Sequence, residues 1–200
     1  MNRSILDKWK ITELELTKLV NENPSLRGFI FGYISEYKMR NLFIDREDIT
    51  GIKKYDDHDR KKKGDLSFIY KSTEIKMESK SLQTNSVVQT SDNTWSGKFQ
   101  CDASDRRKII LPNGSEVETT CLAVGEFDIL AVSLFAFEDT WKFAFAKNSD
   151  LPHPTSRSRN VAPEDREYLI KTLIDISWPL QPPFTEDIYS LLDEIVASKS

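Results

Sequence analysis

Three residues in one short stretch have the types and spacing for phosphodiester chemistry. The segment Gly64-Asp65-Leu66-Ser67-Phe68-Ile69-Tyr70-Lys71 is followed by Ser72-Thr73 and then by Glu74-Ile75-Lys76-Met77-Glu78-Ser79-Lys80. Alternation places Leu66, Phe68 and Tyr70 on one face of a first strand, and Ile75 and Met77 on one face of a second. With Ser72-Thr73 read as a two-residue turn, Lys71 falls opposite Glu74, Phe68 opposite Met77, Ser67 opposite Glu78, and Asp65 opposite Lys80. The apolar side chains then share one face, and Asp65, Glu78 and Lys80 share the other. Asp65 and Glu78 lie on a diagonal near enough to hold one ion. Two close carboxylates repel unless a cation joins them, and hard oxygen ligands select Mg²⁺, for which Mn²⁺ can substitute. Magnesium so held can polarise a phosphodiester, activate a water and stabilise a leaving oxygen, while a neighbouring lysine orients that water or offsets charge.

The chain offers two Glu-x-Lys triplets, Glu74-Ile75-Lys76 and Glu78-Ser79-Lys80. In the register above, Glu74 lies roughly 20 Å along the strand from the position facing Asp65, at about 3.3 Å per residue. It is too far to share a metal, and a cross-strand pair with Lys71 accounts for it. The second triplet is the candidate. A further carboxylate, Glu36, lies on an early helix at the border of an apolar stripe and needs a partner there.

The elements that must position these residues follow from periodicity. Apolar spacing predicts a helix over Thr12–Val20, a chain break at Pro24, and a second helix from about Leu26 to Phe43 capped by Ser25. Its stripe is Leu26, Phe29, Ile30, Tyr33, Ile34 and Tyr37. Strands are expected over Ile49–Tyr55, Gly64–Lys71 and Glu74–Leu82, then a long polar loop over Gln83–Gly97. A hairpin follows, Lys108–Leu111 with Val117–Val124, turning at Pro112-Asn113-Gly114. Phe127–Phe137 reads as a strand covered on both faces, and Trp141–Ala146 as its neighbour. After a polar connector at Pro152–Asn160, Pro163 starts a helix to about Ile176. A last amphipathic helix carries Ile188, Leu191, Leu192, Ile195 and Val196. The fold class expected is α/β, a central mixed sheet flanked by helices. One domain is expected over residues 1–200, with a catalytic core at about 26–146 and C-terminal helices at about 163–198.

Composition narrows the classes. At 38% hydrophobic, 200 residues can bury one sizeable core. A net charge of −4 argues against a protein that coats nucleic acid by bulk charge, but suits an enzyme with a basic cleft and acidic metal ligands. Cys101 and Cys121 have no metal-ligand spacing, and two histidines, His58 and His153, do not make a zinc site. The polar start, Met1 to Lys10, lacks a signal-peptide core, and free thiols suit a cytoplasmic location.

Taken together, Gly32-Tyr33-Ile34-Ser35-Glu36-Tyr37, Gly64-Asp65 and Met77-Glu78-Ser79-Lys80-Ser81 resemble the PD-(D/E)xK nuclease superfamily, best known from type II restriction endonucleases. The matching segments fall within residues 28–82, and Gly64 stands where the family name has proline. The resemblance implies a restriction-endonuclease-like core. It implies metal ligation by Asp65, Glu78 and the carbonyl of Ser79, Lys80 beside the attacking water, and Glu36 as an outer ligand. The expected activity is Mg²⁺-dependent hydrolysis of phosphodiester bonds in double-stranded DNA, sequence-specific in the manner of a restriction enzyme. A structure-selective repair nuclease and a non-catalytic DNA-binding module are the alternatives.

Candidate DNA contacts are Ser81, Gln83 and Asn85 beyond the catalytic strand, the basic run Lys61, Lys62 and Lys63, and Arg106 and Arg107, since an arginine can read guanine. Trp95, Trp141 and Trp178 are expected as packing anchors. Cutting both strands is simplest for a homodimer, and the stripe of the last helix offers an interface or closes the core.

Overall fold

The computed structural model describes residues 3–44, 46–55, 64–155 and 161–199. In chain order the elements are α1 (Ile5–Trp9), α2 (Glu13–Glu22), α3 (Pro24–Ile44), β1 (Ile49–Lys54), β2 (Leu66–Tyr70), β3 (Thr73–Ser81), β4 (Val88–Ser91), β5 (Thr94–Gln100), β6 (Asp102–Ile110), β7 (Glu116–Cys121), β8 (Ile129–Ser133), α4 (Phe135–Glu138), β9 (Phe143–Lys147), β10 (Leu173–Trp178) and α5 (Ile188–Lys199). Thr12 and Glu15 close a capping box at the start of α2. Pro24 does not break the chain but is the first residue of α3, where a missing N–H leaves nothing unsatisfied.

The main sheet has the order β1-β2-β3-β8-β9. Only β3 and β8 run parallel; the other neighbours are antiparallel. The expected central mixed sheet is therefore present, and its middle strand, β3, carries the second Glu-x-Lys triplet. On one face, Phe68, Ile75, Met77, Ile129 and Phe145 pack against Met39 of α3 and against Ile188, Leu191, Leu192 and Ile195 of α5. On the other, Leu130, Val132, Ala144 and Ala146 pack against Phe99, Ile174 and Ile176 of a second sheet, ordered β10-β5-β4. A separate hairpin, β6 with β7, turns at Gly114 as the sequence predicts. Trp95 stacks on Phe137 and Trp141 on Phe31, so these rings are packing anchors. No helix among the described residues is long and apolar enough to cross a membrane.

Four readings need correction. Gln83–Gly97 is not a loop: after a turn of 3-10 helix it forms β4 and most of β5. Every residue of β4 is exposed, so the strand lacks the apolar alternation that would reveal it. Phe127–Phe137 is not one strand, since β8 ends at Ser133 and Phe135–Glu138 is helical. A fully apolar run has no period to separate the two. The helix expected over Pro163–Ile176 is a 3-10 turn, Pro163–Tyr168, followed by β10. Ile174 and Ile176 point inward at a spacing of two while Leu173 and Asp175 point outward, which is strand periodicity. Finally, the stripe of α3 is inverted. Ser35 and Met39 are the buried positions, whereas Phe29, Tyr33, Ile34 and Tyr37 are exposed.

The stripe of α5 closes the core, with Ile188, Leu191, Leu192 and Ile195 all buried, and is not available as an interface.

Candidate active site

The hairpin that carries the carboxylates turns at Lys71-Ser72, not at Ser72-Thr73. Both residues have positive φ, 46° and 66°, as a type I′ turn requires. Thr73 is β-branched and resists that region, so the turn sits one residue earlier and Thr73 starts β3 opposite Tyr70. Leu66 then pairs with Met77, Phe68 with Ile75 and Ile69 with Glu74. The register differs by two residues from the expected one, so every side chain keeps its face. What changes is the level: continuing the pairing puts Asp65 beside Glu78, and Lys80 becomes the diagonal neighbour.

Backbone bonds fix Asp65 in place. Its N–H donates to the carbonyl of Met77 at 2.9 Å, its carbonyl accepts from Tyr55 N–H at 3.1 Å, and its Oδ2 accepts from Ser79 N–H at 2.7 Å. Gly64 makes this approach possible. Its φ is +82°, and a Cβ there would meet the Met77 carbonyl oxygen at 2.9 Å. Proline, locked near −65°, cannot adopt that conformation, which accounts for the glycine at this position. The N–H and C=O of one strand residue point to the same side. The Ser79 carbonyl is therefore directed toward Asp65, where β2 has ended.

Glu78 is buried, at 8% exposure. Its Oε1 accepts from Lys80 Nζ at 2.7 Å, and Lys80 also donates to the carbonyl of Asp102 at 3.1 Å. Burial first, and then the charge of Asp65, push the Glu78 carboxyl up to about 7, against the opposing pull of Lys80. Burial works to neutralise Lys80, but the charge and hydrogen bond of Glu78, together with the charge of Asp65, outweigh it and hold the ammonium up to about 12. Cys101, at the junction of β5 and β6, is buried beside this pair, and burial raises its thiol to about 12.

Raising the folded carboxyl of Glu78 from 4.5 to about 7 makes the folded state hold its proton longer than the unfolded chain. Its contribution to stability is thus full below about 4.5 and is lost as pH rises through about 7. In chelator, the wild-type protein is expected to lose on the order of 3 kcal/mol between pH 5 and pH 8 through this group. Urea unfolding at the two pH values checks this. The Glu78→Gln variant should give a flatter profile, and an equally steep one would assign the dependence elsewhere.

The remaining candidates are placed unevenly. Glu36 on α3 ion-pairs with Lys54 of β1 at 2.7 Å. Among the described residues no three His, Cys, Asp or Glu side chains gather as a metal site. The expected Lys71–Glu74 pair does not form: Lys71, in the turn, bonds Asp193 at 2.6 Å, and the Glu74 carbonyl accepts from Lys199. Ser81 ends β3, Gln83 bonds Gln100 at 3.4 Å, and Asn85 is exposed on the 3-10 turn. Arg106 is exposed on β6. The Arg107 guanidinium grips both oxygens of Glu126 and the carbonyl of Cys121. Lys61, Lys62 and Lys63 lie outside the described residues.

Two contributors escaped the sequence. Glu126 follows Gly125 in a turn and adds its charge to those raising the Glu78 carboxyl. The Asp102 carbonyl anchors Lys80. Both reach the site through tertiary packing, and neither has a local sequence signal.

No protein-family model matches this chain, and no curated protein matches it. Among solved structures, it is similar to the bacterial homing endonuclease I-Ssp6803I, over 84% of this chain and 95% of that one, at 18% identity and a TM-score of 0.41. A likeness at that level carries no conclusion about activity.

Proposed function

We propose that this chain is a Mg²⁺-dependent endonuclease acting on double-stranded DNA, with sequence specificity of the restriction type. The observation that supports it most is the pairing of Asp65 and Glu78 at one level of the central hairpin, with Lys80 bonded to Glu78. The donor set suits a hard divalent cation: two carboxylates, and a backbone carbonyl, that of Ser79, directed the same way. Burial first and the charge of Asp65 second raise the Glu78 carboxyl, and a bound cation would relieve both the buried charge and the repulsion. Asp65, Glu78 and the Ser79 carbonyl would hold the ion. When bound, Mg²⁺ supplies Lewis acidity toward the phosphate and a more acidic water.

The chain's own groups then have distinct tasks. Asp65, tied by three backbone bonds, is a fixed ligand that needs no rearrangement. Lys80 stays an ammonium at neutral pH, so it acts as a donor that orients the attacking water and offsets charge on the phosphate. It does not act as a base. Ser81 on β3, Gln83 and Asn85 beyond it, and Arg106 on β6 would be the groups that contact DNA. One chain offers one such site, so cutting both strands at a fixed position calls for two copies.

Incubating the protein with plasmid DNA and Mg²⁺ tests the proposal. Discrete fragments are expected, with Mn²⁺ substituting and excess chelator abolishing cutting. Ca²⁺ should support DNA binding with little cleavage. A smear would point to a nonspecific nuclease, and full activity in chelator would remove the metal from the mechanism.

A further inference from the structure

The stretch Gln83–Gly97 is chemically unlike the rest of the chain. Ten of its fifteen residues are Ser, Thr, Asn or Gln, and only Asp92 is charged, although 30% of the whole chain is charged. After a turn of 3-10 helix it forms β4, a tight turn at Asp92-Asn93 and the first part of β5. Asn93 takes a φ of 59° in that turn. From Val88 to Asn93 every residue is exposed. A solvated edge strand is ordinarily guarded by charges, lysine above all. This one carries neutral side chains, most of which both donate and accept hydrogen bonds.

We infer that the β4–β5 hairpin enters the DNA major groove and reads A·T base pairs there, with Gln89 and Asn93 each bonding the N6/N7 edge of an adenine. This rests on the duplex-DNA reading of the site above and gives that site its sequence specificity. The major groove admits a two-stranded ribbon, and Gln and Asn are the side chains that bond adenine in bidentate fashion. Gln89 and Asn93 are the two residues of that kind on the exposed segment. Val88, 55% exposed, offers methyl surface to the thymine methyl group. Guanine is read by arginine or lysine, and neither occurs between Gln83 and Gly97.

The hairpin grows out of the strand that carries the candidate site. β3 ends at Ser81, Leu82 bridges to Phe99, and the Gln83 N–H donates to the Lys98 carbonyl at 2.8 Å. Gln100 Nε2 donates to Asp102 Oδ2 at 2.8 Å, and the Asp102 carbonyl holds Lys80. From Lys98 to Asn93 the ribbon extends roughly 16 Å at about 3.3 Å per residue, more than the groove's depth of about 8.5 Å. Packing fixes its direction, since Trp95 stacks on Phe137 and Ser86 Oγ accepts from the Lys98 N–H at 2.9 Å. A ribbon held in place before DNA arrives loses little freedom on binding. The other two-stranded ribbon, β6 with β7, exposes Asp105, Glu116 and Glu118 beside Arg106 and Lys108. Three carboxylates oppose its entry between two phosphate backbones.

A duplex library with a randomised central segment, retained on the protein in Ca²⁺ and then sequenced, tests this. The wild type is expected to enrich a sequence containing A·T pairs. Gln89→Ala and Asn93→Gly should each relax one of those positions and weaken binding of the enriched duplex about 10- to 100-fold. Glycine is the choice at position 93 because it adopts the positive φ without strain. Gln89→Arg should move the preference at its position from adenine to guanine, a gain that damage to the fold cannot produce. An enriched sequence that is the same in all three variants overturns the inference, as does a wild type that retains no DNA or enriches no sequence. Cleavage in Mg²⁺ is read separately. Cutting with a preference unmoved by the variants removes the ribbon and keeps the nuclease; a preference that follows the variants without any cutting does the reverse.

Discussion

Replacing Glu78 by Gln should lower Mg²⁺-dependent DNA cleavage by about 10³-fold or more, and Asp65→Asn and Lys80→Met should do the same. Glu78→Gln keeps the volume and a hydrogen-bonding oxygen, so the fold stays intact; it removes the negative charge that would bind the ion. Asp65→Asn retains the acceptor for Ser79 N–H and likewise removes a charge. Lys80→Met keeps the apolar stem and deletes the ammonium that bonds Glu78 and the Asp102 carbonyl. Glu74→Gln and Lys76→Met should cut as the wild type does. The Lys76 amide and carbonyl bond Asp128 and the Glu74 carbonyl bonds Lys199, all through the backbone, so neither variant disturbs those contacts. Glu74 is moreover four positions from Glu78 along β3, roughly 13 Å away. Rates on a plasmid substrate, with circular dichroism to verify folding, measure the contrast. Loss in Glu74→Gln with retention in Glu78→Gln would move the site to the first triplet.

The second large effect is on stability. Arg107→Met should destabilise the protein by about 3–5 kcal/mol, because Glu126 would be left largely buried without its cation. The side chains of Arg107 and Glu126 are only 20% and 13% exposed, so solvent cannot take over the task. Glu126 also accepts from the Ala123 N–H at 2.8 Å, which holds it in place when Arg107 is gone. The double variant Arg107→Met/Glu126→Gln should recover most of the loss, since the uncompensated charge disappears. Urea unfolding of the four proteins in the cycle measures this. If Arg107→Met instead weakens DNA binding and leaves stability unchanged, the arginine serves the nucleic acid and not Glu126.

Period-two and period-3.6 patterns by themselves determined much of this molecule. The alternation of Leu66, Phe68, Tyr70, Ile75 and Met77 decided which face of the hairpin is core, and with it that Asp65, Glu78 and Lys80 share the other. The apolar spacing of Ile188, Leu191, Leu192 and Ile195 located α5, and Pro112-Asn113-Gly114 located the turn between β6 and β7. Such features depend on neighbours within a few residues, which the chain carries locally.

Other features depended on packing. The turn position was decided by which residues tolerate positive φ, and this set Asp65 level with Glu78 and not with Lys80. β4 is a strand because β5 pairs with it, and its wholly exposed residues carry no alternation that announces it. On α3, apolar residues line both sides, so periodicity could not say which side meets the sheet; only the tertiary structure chose Met39 over Tyr33. The Arg107–Glu126 pair joins residues 19 apart in sequence, across a hairpin and a turn. Such a contact is made by the folded chain as a whole, because long-range proximity is a property of topology and not of any local run of residues.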